Sequence, residues 1–491
     1  MMTRSLGLIR YWGRKPPSMI SKYIEEFSKR GDLILDPFGG SGSIIRTALM
    51  LERRAIYVDL NPFAKLVAES TIVGCSLENL VKAVKDVIEE EKFRIKIKGK
   101  RTIEVNAREL FSIECPCGKS VEVSSVSFGR VYTFKSEPEG LTRLQRKVLD
   151  VIQEHGSITH EELVERFPNS PRNGITNALK YLIKHKAVNE KTVPVRVTYV
   201  EPCVCGVSKL DKLDVLRWLV KNPVYPAYWY PRAKMRYPDG EVFLKKRDVE
   251  RVYELFDYRT LAYLSYLWYK IRGLRISPAT RRCLYSIFMA TLARSSKMNR
   301  ASGGTWPINS YWIPRTYLVR NPRLTFLRAV EDFSDFLSTC GQRPKSGHPL
   351  KVIEGKANVA FVLGDAKSLP LPKSSVDYVI TDPPHVDEAQ FFELSVFYTS
   401  WMKKKLDFEN ELVVNPKQGK NLTKYFKMYS SFVSEVKRIL KPGRFFTVIL
   451  HEESKSILRM FIEITENLGF SLHDSNEVDN FYLFTFIKKD D

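Results

Sequence analysis

The chain begins an alternation of strand, glycine turn, helix and strand at residue 31, abandons it near residue 90, and resumes it in its last third. Residues 31–35 (GDLIL) form an apolar run ending at Asp36, SIIRTALMLERR has helical spacing, and AIYVDLNP predicts a second strand ending at Asp59. ANVAFVLGDA, VDYVITDPPH, GRFFTVILH and NFYLFTFIKK supply four more strands, separated by helical stretches such as YFKMYSSFVSEVKRILK. Such alternation predicts an α/β, doubly wound sheet, where ligands gather at the carboxyl ends of the strands. One Rossmann-like domain of residues 1–90 and 350–491 is expected, interrupted by an insertion between its second and third strands.

At 491 residues the chain exceeds one compact core, and its length suggests roughly three domains. No apolar span of about 20 residues occurs, and the first residues lack the apolar core of a signal peptide, so a cytoplasmic location and no membrane partner are expected. Lys and Arg number 78 against 56 Asp and Glu, a formal net charge of +22, which points to nucleic acid as partner. Seven cysteines, an odd number, argue against a disulfide framework.

The insertion divides further. Four cysteines form two tight pairs, Cys115-Pro116-Cys117-Gly118 and Cys203-Val204-Cys205-Gly206, within residues 105–140 and 190–210. Four thiolates satisfy zinc's tetrahedral preference, and the glycines allow sharp turns; free thiols are the alternative. Between the pairs, residues 141–190 predict three helical segments and a strand-like end. Asn169 and Pro171 lie in the turn, and the third helix from about Asn173 occupies the recognition position of a winged helix-turn-helix, unless the segment is a helical spacer. Residues 211–349 are basic and aromatic, a composition suited to phosphates and exposed bases and expected to serve target recognition; Tyr228, Trp229, Trp306 and Trp312 are expected in loops.

Two strand-end loops carry the candidate chemistry. Asp36-Pro37-Phe38-Gly39-Gly40-Ser41-Gly42 offers a backbone cradle. Asp59, at the end of the second strand, stands where an acid meets ribose hydroxyls, and Asp365, after the third, suits an adenine amino group. The turn lacks G-x-G-x-x-G and has no Lys-Ser/Thr, so a pyrophosphate is poorly served and S-adenosylmethionine is the expected cofactor. In Asp382-Pro383-Pro384-His385, Asp382 and the carbonyl of Pro383 are candidate acceptors for a base amine, the prolines stiffen the loop, and His385 offers a ring for stacking an extruded base.

These residues resemble the amino-methylating DNA methyltransferases, which modify adenine N6 or cytosine N4. RYWGRKPPSMISKYI before DPFGGSGS, the block TDPPHVDEAQFFELSVFYTSWM, and the segments KMNR and YWIPR are similar to a prokaryotic and archaeal group of adenine-specific DNA methylases containing a zinc ribbon. The resemblance implies that Lys15, Pro16 and Pro17 lie near the methionine end of the cofactor, that Asp36, Gly39, Gly40 and Gly42 contact it, and that Asp382, Pro383, Pro384 and His385 form the catalytic loop. The chain departs from the pattern in having histidine where an aromatic residue is usual, and in its shortened cysteine pairs. The expected activity is methylation of double-stranded DNA at an exocyclic amine, most simply adenine N6. Cytosine-N4 methylation, RNA base-amine methylation and a non-catalytic DNA-binding regulator remain alternatives.

Overall fold

The structure, a computed structural model, describes residues 16–89, 92–97, 101–211, 224–243, 249–302, 311–340, 343–386 and 390–489. Lys15 and Trp306, both singled out above, lie outside the described residues.

Seven strands form the central sheet: β1 (Leu33–Asp36), β2 (Arg54–Asp59), β3 (Val359–Leu363), β4 (Val376–Thr381), β5 (Leu440–Leu450), β6 (Phe470–Val478) and β7 (Phe481–Lys488). Their order is β3-β2-β1-β4-β5-β7-β6, with β7 antiparallel to both neighbours and the rest parallel. Six of the seven follow from the apolar runs. The seventh, β6 (FSLHDSNEV), is mostly polar and lies at the sheet edge, where one side of a strand meets water and no apolar run is required.

Both faces of the sheet are covered, which explains the unbroken apolar runs. Leu33 and Leu35 face a core shared with helix Leu422–Ile439, whereas Ile34 faces helices Pro17–Phe27 and Ser43–Met50. All six residues of β4 are buried. Pairing of Ile34 with Tyr378 and of Leu35 with Val379 brings the carboxyl ends of β1 and β4 side by side. The strand order reverses direction there, opening a crevice above the sheet.

Helices Tyr258–Gly273, Pro278–Ser295 and Pro322–Thr339 of the insertion share an apolar core with Pro62–Ile72, Leu77–Ile88 and Phe391–Met402. Trp268, Phe288 and Trp401 meet inside it, with ring centroids 4.7 Å (Trp268–Phe288) and 5.3 Å (Phe288–Trp401) apart. Tyr228 and Trp229 lie in a loop yet pack on Tyr266 and Trp401. Outside the two pairs, the buried Cys75 and Cys283 interact through their thiols.

Strands Lys92–Ile97, Thr102–Asn106 and Val224–Pro226 form a small antiparallel sheet against this apolar core, and residues 112–211 are built on a second antiparallel ladder, Ser120–Phe134 with Val188–Tyr199. One end carries the two cysteine turns. At the other, helices Arg143–His155, His160–Glu165 and Arg172–Lys184 close around Leu149, Ile152, Leu163, Ile175 and Leu182. Thr142 and Thr159 each cap a helix through reciprocal bonds with Gln145 and Glu162. Strand Ile158–Thr159 adds to the same ladder beside Val131 and Tyr132.

Asp377 joins β1 to β4 at the end opposite the crevice. Its buried carboxylate accepts from Leu33 N at 2.8 Å and pairs with Lys441 Nζ at 2.7 Å. Asp377→Ala strands that amide and leaves the lysine uncompensated, so the urea midpoint is expected to fall by the equivalent of roughly 1–3 kcal/mol. An unchanged midpoint would show that the bond adds nothing to strand pairing.

Candidate functional site

A cavity at the carboxyl ends of β1, β2, β3 and β4 is lined by Asp36, Pro37, Phe38, Gly39, Gly40, Asp59, Asp365, Asp382, Pro383, Pro384 and His385. Two segments some 340 residues apart in the chain thus share one wall. Gly42 and Pro17 do not line it. Gly42 has φ +79° before helix Ser43–Met50, and an added Cβ would come within 2.8 Å of Ile72; its requirement is local packing. Pro17 is half-buried at the first turn of its helix.

The glycine turn is held from below. Gly39 N donates to Val58 O at 2.9 Å, Gly40 N to Asp59 Oδ2 at 2.8 Å, and Tyr57 Oη to Gly40 O at 2.8 Å. A Cβ on Gly39 would lie 2.2 Å from the Tyr57 ring, so no other residue fits without displacing it. Asp59 also accepts from Asn61 N at 2.7 Å, while Asn61 caps helix Pro62–Ile72 and donates to Ser395 Oγ at 2.7 Å.

The two loops are bonded to each other. Thr381 Oγ1, the last residue of β4, donates to Asp36 Oδ1 at 2.7 Å, and Phe38 N donates to that same oxygen at 3.2 Å. Burial pushes the Asp36 carboxyl up to about 8 against these bonds, with Asp382 and Asp59 adding repulsion. Burial likewise raises Asp59 to about 6. Asp365 is partly shielded and pairs with Lys367 Nζ at 3.0 Å.

In the Asp-Pro-Pro-His loop, Tyr425 Oη donates to Pro384 O at 2.7 Å, and His385 Nε2 lies 3.2 Å from Asp382 Oδ1. His385 is only 4% exposed, and His451 N approaches its other nitrogen at 3.5 Å. Its ring edge is turned to the aspartate, an arrangement unlike the open stacking face expected from sequence.

The far wall, comprising Phe391, Phe392, Asn410, Glu411, Leu412, Val413 and Met428, escaped the sequence reading. A glutamate set directly before the apolar run Leu412-Val413-Val414 was the available signal. Glu411 is buried, accepts from Phe392 N at 3.2 Å and Gln418 Nε2 at 3.0 Å, and is pushed up to about 7 by desolvation.

In the insertion, the ligand atoms of Cys115, Cys117, Cys203 and Cys205 lie within 4.8 Å of one another. The two turns match. Gly118 N donates to Cys115 O at 2.8 Å and Gly206 N to Cys203 O at 2.7 Å, with φ of +82° and +83°. Cross-pair sulfur distances are 3.4 and 3.5 Å, too long for disulfides and close to the roughly 3.8 Å edge of a tetrahedral zinc–thiolate site.

Strand order and crevice define the class as a Rossmann-like fold of the S-adenosylmethionine-dependent methyltransferase type. Residues 8–70 match a DNA methylase family of the N6/N4 kind, which bears out the resemblance to amino-methylating DNA methyltransferases. The chain is 28% identical over 86 residues to the Type II methyltransferase M.MjaII of Methanocaldococcus jannaschii, covering 18% of this chain and 16% of that protein. It is 39% identical over 84 residues to the Type II methyltransferase M.BsoBI of Geobacillus stearothermophilus, covering 16% of each. The alignments thus span about a sixth of these curated relatives. A solved DNA modification methylase from Thermus thermophilus is 16% identical over 26% of this chain and 52% of its own, with a TM-score of 0.17, an overlap too small to carry weight.

The raised Glu411 carboxyl sets a pH dependence. A carboxyl whose folded-state pKa exceeds its unfolded value stabilises the fold fully below the unfolded value, and that contribution is lost as pH rises toward about 7. Glu411→Gln keeps the acceptor for Phe392 N and cannot ionise. Its melting temperature relative to wild type is expected to rise from pH 5 to pH 8, by the equivalent of roughly 1 kcal/mol or more. A constant difference across that range would mean Glu411 is not held protonated by burial.

Proposed function

We propose that the protein is an S-adenosylmethionine-dependent DNA methyltransferase that modifies an exocyclic base amine, adenine N6 in the first place, on a base swung out of duplex DNA into this cavity. The observation that carries the reading is the convergence of the glycine turn and the Asp-Pro-Pro-His loop in one crevice, bonded through Thr381 and Asp36.

The charge of the lining supports this cofactor over a nucleotide phosphate. Five carboxyl groups (Asp36, Asp59, Asp365, Asp382 and Glu411) face the cavity, and its lysine, Lys367, is already paired with Asp365. Among the described residues such a wall offers a pyrophosphate no unpaired cation, and a ligand bearing sulfonium and ammonium groups favours ionisation of the carboxyls that burial has raised. When bound, S-adenosylmethionine supplies a methyl group on positively charged sulfur. Asp59 would hold the ribose diol, Asp365 the adenine amino group, and the backbone of Gly39 and Gly40 the approach to the methionine end.

The base amine is a weak nucleophile because its lone pair is delocalised into the ring. Asp382 and the carbonyl of Pro383 accept its N–H bonds and draw the nitrogen toward tetrahedral geometry, freeing the lone pair. Fixed φ at Pro383 and Pro384, with Tyr425 bonded to the Pro384 carbonyl, holds these acceptors in place before the base arrives. His385 orients the Asp382 carboxylate. Cytosine N4 is the alternative target, because the loop presents the same acceptors to either amine.

The helices of residues 141–190 form the winged helix-turn-helix that meets duplex DNA. Arg172, Asn173, Asn177, Lys180 and Lys184 make up an exposed stripe of the third helix, a set able to bond both base edges and phosphates. The four thiolates hold a structural zinc ion that closes the opposite end of the ladder.

Nucleoside mass spectrometry after incubation with duplex DNA and cofactor is expected to reveal N6-methyladenine; neither N6-methyladenine nor N4-methylcytosine across varied duplexes would sink the assignment. Asp382→Ala is expected to lower turnover at least about 10²-fold with little change in cofactor affinity, since the lost interaction belongs to the transition state. Parallel loss of cofactor binding would contradict that role. Elemental analysis should find one zinc per chain, and chelation should lower the melting temperature; metal-free protein of unchanged stability would leave the cysteines as free thiols.

A further inference from the structure

A second cleft lies in the insertion, away from the cavity above. Its walls are Arg130 and Tyr132 of strand Ser120–Phe134, His160 at the start of its helix, Lys180 and Lys184 of helix Arg172–Lys184, and Arg315 from the segment that leads back to the methyltransferase core.

Charge in this cleft is out of balance. Four cations line it, and the carboxylate among the lining residues, Glu190, is paired with Arg130. Lys180, Lys184 and Arg315 have no salt-bridge partner among the described residues. Lys180 and Lys184, four positions apart on one helix, repel each other, and like charges at this spacing destabilise a helix by a few tenths of a kcal/mol. The fold gains nothing from gathering them with Arg315.

A neutral side chain faces the same space. The Nδ1 of His160 is shielded from solvent and has no hydrogen-bond partner among the described residues. Burial and the neighbouring Arg315 and Arg172 push the His160 pKa down despite Glu161 and Glu190, which keeps the ring neutral and lets one nitrogen donate. The other two hydroxyls of the cleft are already engaged, Tyr132 with the Glu190 carboxylate and Thr176 Oγ1 donating to Arg172 O at 2.9 Å, so His160 is the neutral group left to donate beside the lysines and Arg315. A planar carboxylate would meet only part of a donor set that arrives from a strand, two helices and a loop. A tetrahedral anion meets it from all sides.

We propose that this cleft is a phosphate-binding site, filled either by a backbone phosphate of the DNA or by a free phosphate group, and that its occupant ties the third helix of the insertion to Arg315. The consequence reaches the core. Strand Tyr317–Arg320, two residues beyond Arg315, pairs with Ser125–Phe128, and Arg320 donates to the carbonyl of Arg294 on helix Pro278–Ser295. A phosphate held between Lys184 and Arg315 therefore fixes the helical end of the insertion relative to the body that carries the cavity.

The test uses the full chain with histidine-selective isotope labelling, the His160 ring signal being assigned from its loss in His160→Gln. Inorganic phosphate is expected to shift that signal saturably, and Arg315→Gln and Lys184→Gln, both changes at surface side chains, should each weaken the binding about 10-fold. A short duplex then separates the sources. If it moves the same signal and Arg315→Gln lowers the slope of log affinity against log salt by about one, the occupant is a backbone phosphate; if phosphate binds and the duplex neither moves the signal nor competes, it is a free phosphate. The proposal is overturned if phosphate leaves His160 unmoved, or shifts it equally in wild type and both variants.

Discussion

The bond from Thr381 to Asp36 ties together parts of the chain 345 residues apart, and the geometry of the cavity depends on it. A buried carboxyl with no cation beside it among the described residues needs hydrogen-bond partners, and those here are the Thr381 hydroxyl and the Phe38 amide. Thr381 reaches Asp36 only because β4 runs beside β1 in one register. A slip of one residue would turn the hydroxyl to the opposite face of the sheet and leave the carboxylate unpartnered. The same register sets Asp382, the next residue, at the mouth of the crevice, so strand pairing and the placement of the proposed acceptor are one constraint.

The insertion is bound into this arrangement. Tyr237 bonds to the buried Glu393 side chain, Tyr311 Oη donates to Glu393 O at 2.6 Å, and Asn415 Nδ2 donates to Tyr237 Oη at 2.6 Å. Glu393 lies in the first turn of helix Phe391–Met402, whose opening residues Phe391 and Phe392 form the far wall of the cavity. Residues from the interruption thus anchor the helix that contributes Phe391 and Phe392 to the cavity lining. Because β2 and β3 are neighbours, chain can leave after one and return to the other without disturbing the parallel pairs at the centre of the sheet.

The near wall was legible in the sequence because its requirements are local. Strands buried on both faces must be apolar throughout, and a backbone pressed against Tyr57 at Gly39 excludes any side chain. Asp59 and Asp365 follow from their places at strand ends. The far wall was not legible, since what selects Glu411 and Phe392 is contact with chain brought close only by folding. The polar edge strand β6 was missed for a related reason: its pairing with β7 is a matter of backbone bonds, which leave no mark on side-chain pattern. Histidine at 385 could be read as a ring but not as a partner of Asp382, because His451, which flanks it, arrives from the end of β5.

The distribution of charge completes the physical picture. A net charge of +22 would burden any single surface, yet the cavity is lined by carboxyl groups while lysine and arginine collect on the third helix of the insertion and beside Arg315. Separating the signs lets one chain serve two ligands of opposite charge. On the proposed function, the acids at the strand ends favour a cationic cofactor and the basic patch of the insertion a polyanion, neither competing for the other's place. Burial raises the carboxyl pKa values of Asp36, Asp59 and Glu411, so holding them ionised inside the fold costs free energy. A positively charged ligand offsets that cost, so the electrostatics that destabilise the crevice are those that select what fills it.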